Sequence, residues 1–118
     1  MQGADVCRGM SGPAVISPVM IRSLNKDPIV FALAHPMPEI LPHDALHAGA
    51  AIVGTGRNEY PSQINYALAF PWIFRGALDV PASRISDEMK VAAAHALAGF
   101  VKRLQKEWIL RRFSTGVL

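Results

Sequence analysis

Apolar residues along the chain come in short, dense runs separated by turns that carry glycine and proline. This spacing predicts strands alternating with helices. Gly3–Arg8, GADVCR, reads as a first strand and leads into the loop GMSGP. Ser17 and Pro18 offer an N-cap and a proline at the first helical position, which predicts a helix over Pro18–Leu24 ending near Asn25. Pro28–Ala34 is almost continuously apolar, with Ile29, Val30, Phe31 and Leu33. Apolar residues on both faces predict a strand buried on both sides, as in a parallel sheet. Three prolines make His35–Pro42 a rigid loop. Asp44–Ala48 is predicted as a short helix stopped by Gly49, and Ala51–Val53 as a third strand.

Farther along, Ser62–Leu78 reads as helical, with Pro71 expected to kink or break it. Ser86 is placed to cap a last helix whose first turn holds Asp87 and Glu88, favourably for its dipole. Met89, Ala93, Ala96, Leu97, Phe100 and Leu104 recur at helical spacing and predict a stripe packed into the core. Strand, helix, strand, helix, strand with short connections predicts an α/β fold with a parallel sheet and right-handed crossovers.

Composition changes this picture in one respect. Hydrophobic residues make up 51% of the 118 and charged residues 18%, which is apolar for a free-standing domain and suits one whose faces are covered by further sequence. There is no long uncharged apolar run to span a membrane. Met1–Met10 contains Asp5 and Arg8 and no apolar core, so it does not read as a secretory signal. The single cysteine, Cys7, permits no internal disulfide and reads as a buried structural thiol in a reducing, cytoplasmic setting. The formal charge of +3 gathers at the end, in Lys102, Arg103, Lys106, Arg111 and Arg112. No nucleic-acid motif accompanies these residues, so they read as a solvated helix face and no nucleic-acid partner is expected.

Open parallel sheets bind ligands outside the carboxyl ends of their strands. Three loops occupy such positions: Gly9–Pro13, His35–Glu39 and Gly54–Tyr60. A G-x-G-x-x-G turn, the usual cradle for a pyrophosphate, does not occur; GTGRNEY has only its first two glycines. Asp5, Glu39, Asp44 and Glu59 read as solvent-facing carboxylates that do not group as a hard-cation site. His43 and His47 sit four apart, a spacing that can hold a metal, but read as surface histidines. Ser11 and Ser62 have no histidine that the sequence places beside them. No catalytic residue and no metal ligand is therefore assigned.

The order and content of these loops resemble the malic enzymes, which oxidatively decarboxylate malate to pyruvate with NAD or NADP. The likeness covers about residues 3 to 98 and corresponds to the C-terminal half of the family's NAD-binding domain. It implies a partial Rossmann-like fold: half of a doubly wound parallel sheet, about three strands, with C-terminal helices. Gly9, Met10 and Ser11 match a Gly-x-Ser loop that lies against the cofactor in the family. His35-Pro36 stands where the family has Asn-Pro, whose asparagine helps hold the nicotinamide end and the substrate; Pro38 and Glu39 match. Thr55, Gly56 and Arg57 match the family's Thr-Gly-Arg turn. Ser62–Tyr66, SQINY, aligns with an Asn-Gln-x-Asn-Asn segment, so Tyr66 replaces the amide that resembles the malate contact. Phe70, Pro71 and Trp72 stand for Phe-Pro-Gly.

By this resemblance Gly9, Ser11, His35, Thr55 and Gly56 are the expected cofactor-binding residues, and Asn65 and Tyr66 the substrate-binding ones. The expected cofactor is NAD or NADP, held weakly or lost here. The family's divalent magnesium or manganese has its carboxylate ligands, and its acid–base tyrosine and lysine, N-terminal to the matched region. An asparagine offers a donor and an acceptor in one plane, whereas His35 can gain charge and Tyr66 is a ring. Malate is therefore not expected to bind as in a typical member. Residues 1–98 are expected to form the domain half and 99–118 a divergent, basic helical tail. The chain is expected to be inactive alone and either homo-oligomeric or completed by a missing N-terminal portion. A repurposed protein-interaction or oligomerisation module that keeps the fold is the alternative, its surface formed by Tyr66, Trp72 and the basic end.

Overall fold

The structure is a computed structural model and describes residues 1–60, 62–65 and 67–99. They divide into two compact units, Met1–Ile64 and a second beginning at Asn65. The first holds β1 (Val6–Gly9), α1 (Pro18–Arg22), β2 (Ile29–Ala32), α2 (Pro42–His47) and β3 (Ile52–Thr55); the second holds α3 (Phe70–Asp79) and α4 (Asp87–Gly99).

In the first unit the strands pair in parallel in the order β1-β2-β3. This is the open α/β sheet that the alternating pattern predicts. Val30 and Ala32 of β2 are fully buried and meet Cys7, Val53, Ile21, Ala45 and Ala48 in one apolar cluster. The opposite face of β2 is covered less: Ile29 and Phe31 are half-buried. The expectation of a strand buried on both sides thus holds for one face. Cys7 is buried as expected, and burial pushes its thiol pKa up.

The caps follow the sequence closely. Ser17 Oγ accepts from the Met20 N–H at 3.3 Å and Pro18 opens α1. Gly49 ends α2 with φ at +108°, beside open space where a side chain would stand. Gly49→Ala meets no neighbour, so its cost is conformational alone. We expect a loss of about 1 kcal/mol in urea unfolding, with unchanged slope.

Three expectations are corrected. β1 begins at Val6, because Gly3 turns with φ at +79°. The span Ser62–Leu78 is not one helix. The Thr55 N–H donates to the Ser62 carbonyl and the Ile64 N–H to the Thr55 carbonyl, so this segment runs extended beside β3. The helix starts only at Phe70, with Pro71 in its first turn. There the missing N–H costs nothing, and the proline begins the helix instead of kinking it.

The third correction concerns α4. Ser86 caps it, Oγ accepting from the Met89 N–H at 3.3 Å, but none of its residues is buried. Met89, Ala93 and Leu97 are half-buried and Ala96 is exposed, so the predicted stripe is not core in these units. It lines an open groove instead, where Met89, Ala93 and Ala96 face Trp72, Ile73 and Gly76 of α3. Phe100, Leu104 and the tail beyond Gly99 lie outside the described residues.

Candidate functional site at the carboxyl edge of the sheet

The register places Gly9, Ala32 and Thr55 abreast at the carboxyl ends of the three strands. The loops that follow therefore leave one edge of the sheet together. The Leu33 N–H donates to the Gly9 carbonyl at 3.1 Å, so the first two loops stay in step beyond the ladder.

Glu39 organises these two loops. It is fully buried, contrary to the solvent-facing reading. One carboxylate oxygen accepts from the Ser11 N–H at 2.8 Å and the other from the Ala34 N–H at 3.0 Å. Its own carbonyl accepts from the Ile16 N–H, and the Pro38 carbonyl from the Ala14 N–H. Burial pushes the carboxyl pKa up, but the backbone N–H groups of Ser11 and Ala34 outweigh it and hold the net pKa below the ordinary 4.5. Gly9 is the complement to this arrangement: a Cβ there would stand 2.5 Å from the Glu39 carboxyl carbon. The signal for Glu39 was present in the sequence, as a lone carboxylate among Pro38, Ile40, Leu41 and Pro42. Such residues are seldom fully buried unless paired, which made exposure the default expectation.

The third loop is built differently. Thr55 is buried, its Oγ1 accepting from the Arg57 N–H at 3.4 Å. Arg57 forks onto Glu59, Nε to one oxygen at 2.9 Å and Nη2 to the other at 2.7 Å, and Nη1 donates to Met37 Sδ at 3.4 Å. The guanidinium brings the exposed Glu59 carboxyl down to about 2. Arg57 thus ties its loop to the second one, and its fork is occupied by Glu59.

Of the expected cofactor residues, Gly9 and Thr55 are brought abreast and buried, Gly56 is half-buried, and Ser11 and His35 are exposed at the mouth. Asn65 belongs to the second unit, where it is exposed and its Oδ1 accepts from the Ala67 N–H at 3.0 Å. Tyr66 lies outside the described residues. Asp5, Asp44 and Glu59 do not converge, and no group of three metal-ligating side chains occurs among the described residues. Both His43 and His47 are exposed, as read from the sequence.

A family model described as the malic enzyme NAD-binding domain matches residues 7–113. The chain belongs to the malic enzyme family. It is 55% identical over 98 residues to the bifunctional malic/malolactic enzyme of Bacillus subtilis, covering 83% of this chain and 24% of that protein. It is 47% identical over 108 residues to the NADP-dependent malic enzyme of Escherichia coli, covering 91% of this chain and 14% of that protein. Among solved structures, the malic enzyme of Pyrococcus horikoshii superposes with a TM-score of 0.87 at 53% identity, over 92% of this chain and 26% of that one. The chain thus spans at most about a quarter of these relatives' length and corresponds to part of a malic enzyme NAD-binding domain. The parallel sheet of the first unit is the Rossmann-type architecture of that family.

Proposed function

We propose that the chain supplies one wall of an NAD(P) site in a malic-enzyme-type oxidoreductase and does not catalyse alone. The observation that carries this reading is the alignment of Gly9, Ala32 and Thr55, which gathers three loops at one carboxyl edge. The dinucleotide would supply hydride acceptance in the oxidation of malate to pyruvate. Gly9, Ser11, His35, Thr55 and Gly56 would border it; Asn65 and Tyr66 are assigned to the substrate by family resemblance alone. The fit is partial. Two of the edge's backbone N–H groups, those of Ser11 and Ala34, are already committed to Glu39. The chain also has no G-x-G-x-x-G cradle. A wall can be supplied on these terms, and a complete pyrophosphate site cannot. A cytoplasmic setting is part of this reading, supported by the single cysteine, Cys7, which suits a reducing compartment.

The test is calorimetric titration of NAD and NADP into the purified chain, followed by malate and manganese. We expect weak, saturable dinucleotide binding and no malate binding at millimolar concentration, since His35 and Tyr66 replace amides. Silence toward both dinucleotides would remove the nucleotide reading. Millimolar malate binding lost on Asn65→Ala would remove the claim that the substrate site has changed.

A second reading has its own observation. On α3, Phe70, Trp72 and Leu78 are 65%, 72% and 72% exposed. Apolar residues presented in this way suit self-association or a protein partner. On this reading Trp72→Ala lowers the sedimentation coefficient of the chain while leaving its melting temperature unchanged.

A further inference from the structure

We infer that Glu39 is the positioning residue of the site: its buried carboxylate locks the loop after β1 to the loop after β2, and Gly9 is glycine to admit it. The inference rests on the nucleotide reading for its consequence in binding, but the lock itself stands on geometry. The two carboxylate oxygens each take one backbone N–H from a different loop, Ser11 at 2.8 Å and Ala34 at 3.0 Å. The side chain that does this is entirely shielded from solvent. Hydrogen bonds to an ionised acceptor are roughly twice as strong as neutral ones, and stronger still out of water. Two such bonds from one rigid planar group leave the loops little freedom to move separately.

Gly9 supplies the independent observation. A Cβ there would stand 2.5, 2.7 and 2.8 Å from the Glu39 Cδ, Oε1 and Cγ, distances that real side chains do not adopt. φ at Gly9 lies outside the left-handed region, so backbone conformation does not demand glycine there. What demands it is the carboxylate beneath. Gly9, Ser11 and Ala34 are thus coupled through Glu39, although no side chain of theirs touches it by hydrogen bond. Ser11 and His35, the exposed members of the mouth, take their positions from this lock: Ser11 through its own N–H and His35 through the adjacent Ala34.

The experiment is nuclear magnetic resonance on the isotope-labelled full chain. In the unsubstituted protein, scalar coupling across the hydrogen bonds should connect the Ser11 and Ala34 amide nitrogens to the Glu39 side-chain carboxyl carbon. Absence of either connection overturns the two-loop lock, and this reading needs no variant to fold. In Glu39→Gln, one acceptor oxygen becomes a donor. We expect amide exchange at Ser11 or Ala34 to speed up roughly tenfold or more, the scale of one hydrogen bond to a charged group. The Ala48 amide, bonded to Asp44 in α2, should not change. Gly9→Ala should reproduce the loss by displacing Glu39, and the double variant should be no worse than the worse single one. Additive effects would mean that Gly9 and Glu39 act separately and would overturn the coupling.

Dinucleotide titration of the same samples separates this inference from the proposed function. If the unsubstituted chain binds NAD, each variant should weaken it by a similar factor, and unaltered affinity overturns Glu39 as positioning residue. If the unsubstituted chain does not bind NAD, the nucleotide reading fails, while the couplings and exchange rates still decide the lock.

Discussion

Glu39→Ala is expected to destabilise the first unit by about 3–5 kcal/mol, enough to unfold it wholly or in large part. The substitution removes both acceptors at once. It strands the Ala34 N–H in a shielded space, where a lost partner costs about 1–3 kcal/mol, and removes the acceptor of the part-shielded Ser11 N–H, which solvent replaces in part. The cavity left by the missing carbons adds to this. Urea unfolding followed by circular dichroism gives the size of the loss. Acid gives its origin. The native carboxyl titrates below the ordinary 4.5, so as pH falls the unfolded chain takes up the proton first. The stabilisation from ionised Glu39 is therefore complete above the unfolded value and is lost as pH falls through the native one. The alanine variant should lack this component, and the gap between the two proteins should narrow on acidification. A gap that stays constant from neutral pH to below the native carboxyl range would mean that packing, not the carboxylate, is what Glu39 provides.

The order of elements was legible because it depends on local signals. Ser17-Pro18 and Ser86 mark helix starts, Gly49 marks a stop, and the run from Ile29 to Leu33 marks the central strand. Each is a short-range rule about backbone donors or burial, and each appears in the structure. The failures share a different cause. Whether Ser62–Leu68 is helical depends on Thr55, whose N–H and carbonyl draw residues 62–64 into an extended path beside β3. Helical propensity in the segment cannot report that competition. Pro71 has its interior meaning only if the helix begins upstream, and local sequence does not reveal that it begins at Phe70. Likewise the α4 stripe shows that one face is apolar, but periodicity does not say what covers the face. In the second unit it lines a groove, and this chain spans less than a third of the length of the relatives it matches.

The candidate site was legible in outline and opaque at its centre. The three strand-end loops follow from the α/β pattern, and the register sets them abreast. The residues named on them by resemblance are those at the mouth. Composition assigns carboxylates to solvent, and Glu39 is the exception. Only three-dimensional closure shows that two N–H groups from separate loops converge on it, 28 and 5 residues away in sequence. Gly9 was read through its motif, while its physical reason is the space that Glu39 fills.

Ile21→Ala is the second large effect expected, about 3–5 kcal/mol in the same unfolding measurement. α1 is only five residues long, too short to persist by its own hydrogen bonds. Its cap at Ser17 is worth about 1 kcal/mol, which orients the first turn without holding the helix to the sheet. Ile21 is the one residue of α1 that is buried, at 1% exposure, within the cluster that contains Cys7, Val30 and Ala45. Truncating it removes three carbons from a closely packed layer and leaves α1 with no buried side chain. The loss should therefore exceed simple transfer of the deleted methyl groups, because the helix detaches as well as thins. Val19, 67% exposed on the same helix, is the internal control, and Val19→Ala should stay within about 0.5 kcal/mol. If helix α1 were instead held by its cap and backbone bonds, Ile21→Ala would cost about 1 kcal/mol and Ser17→Ala would cost more than Ile21→Ala. A loss confined to the amides of Met20–Leu24 in hydrogen exchange would show local detachment, and a loss shared by Val30 and Val53 would show that α1 closes the core of the entire sheet.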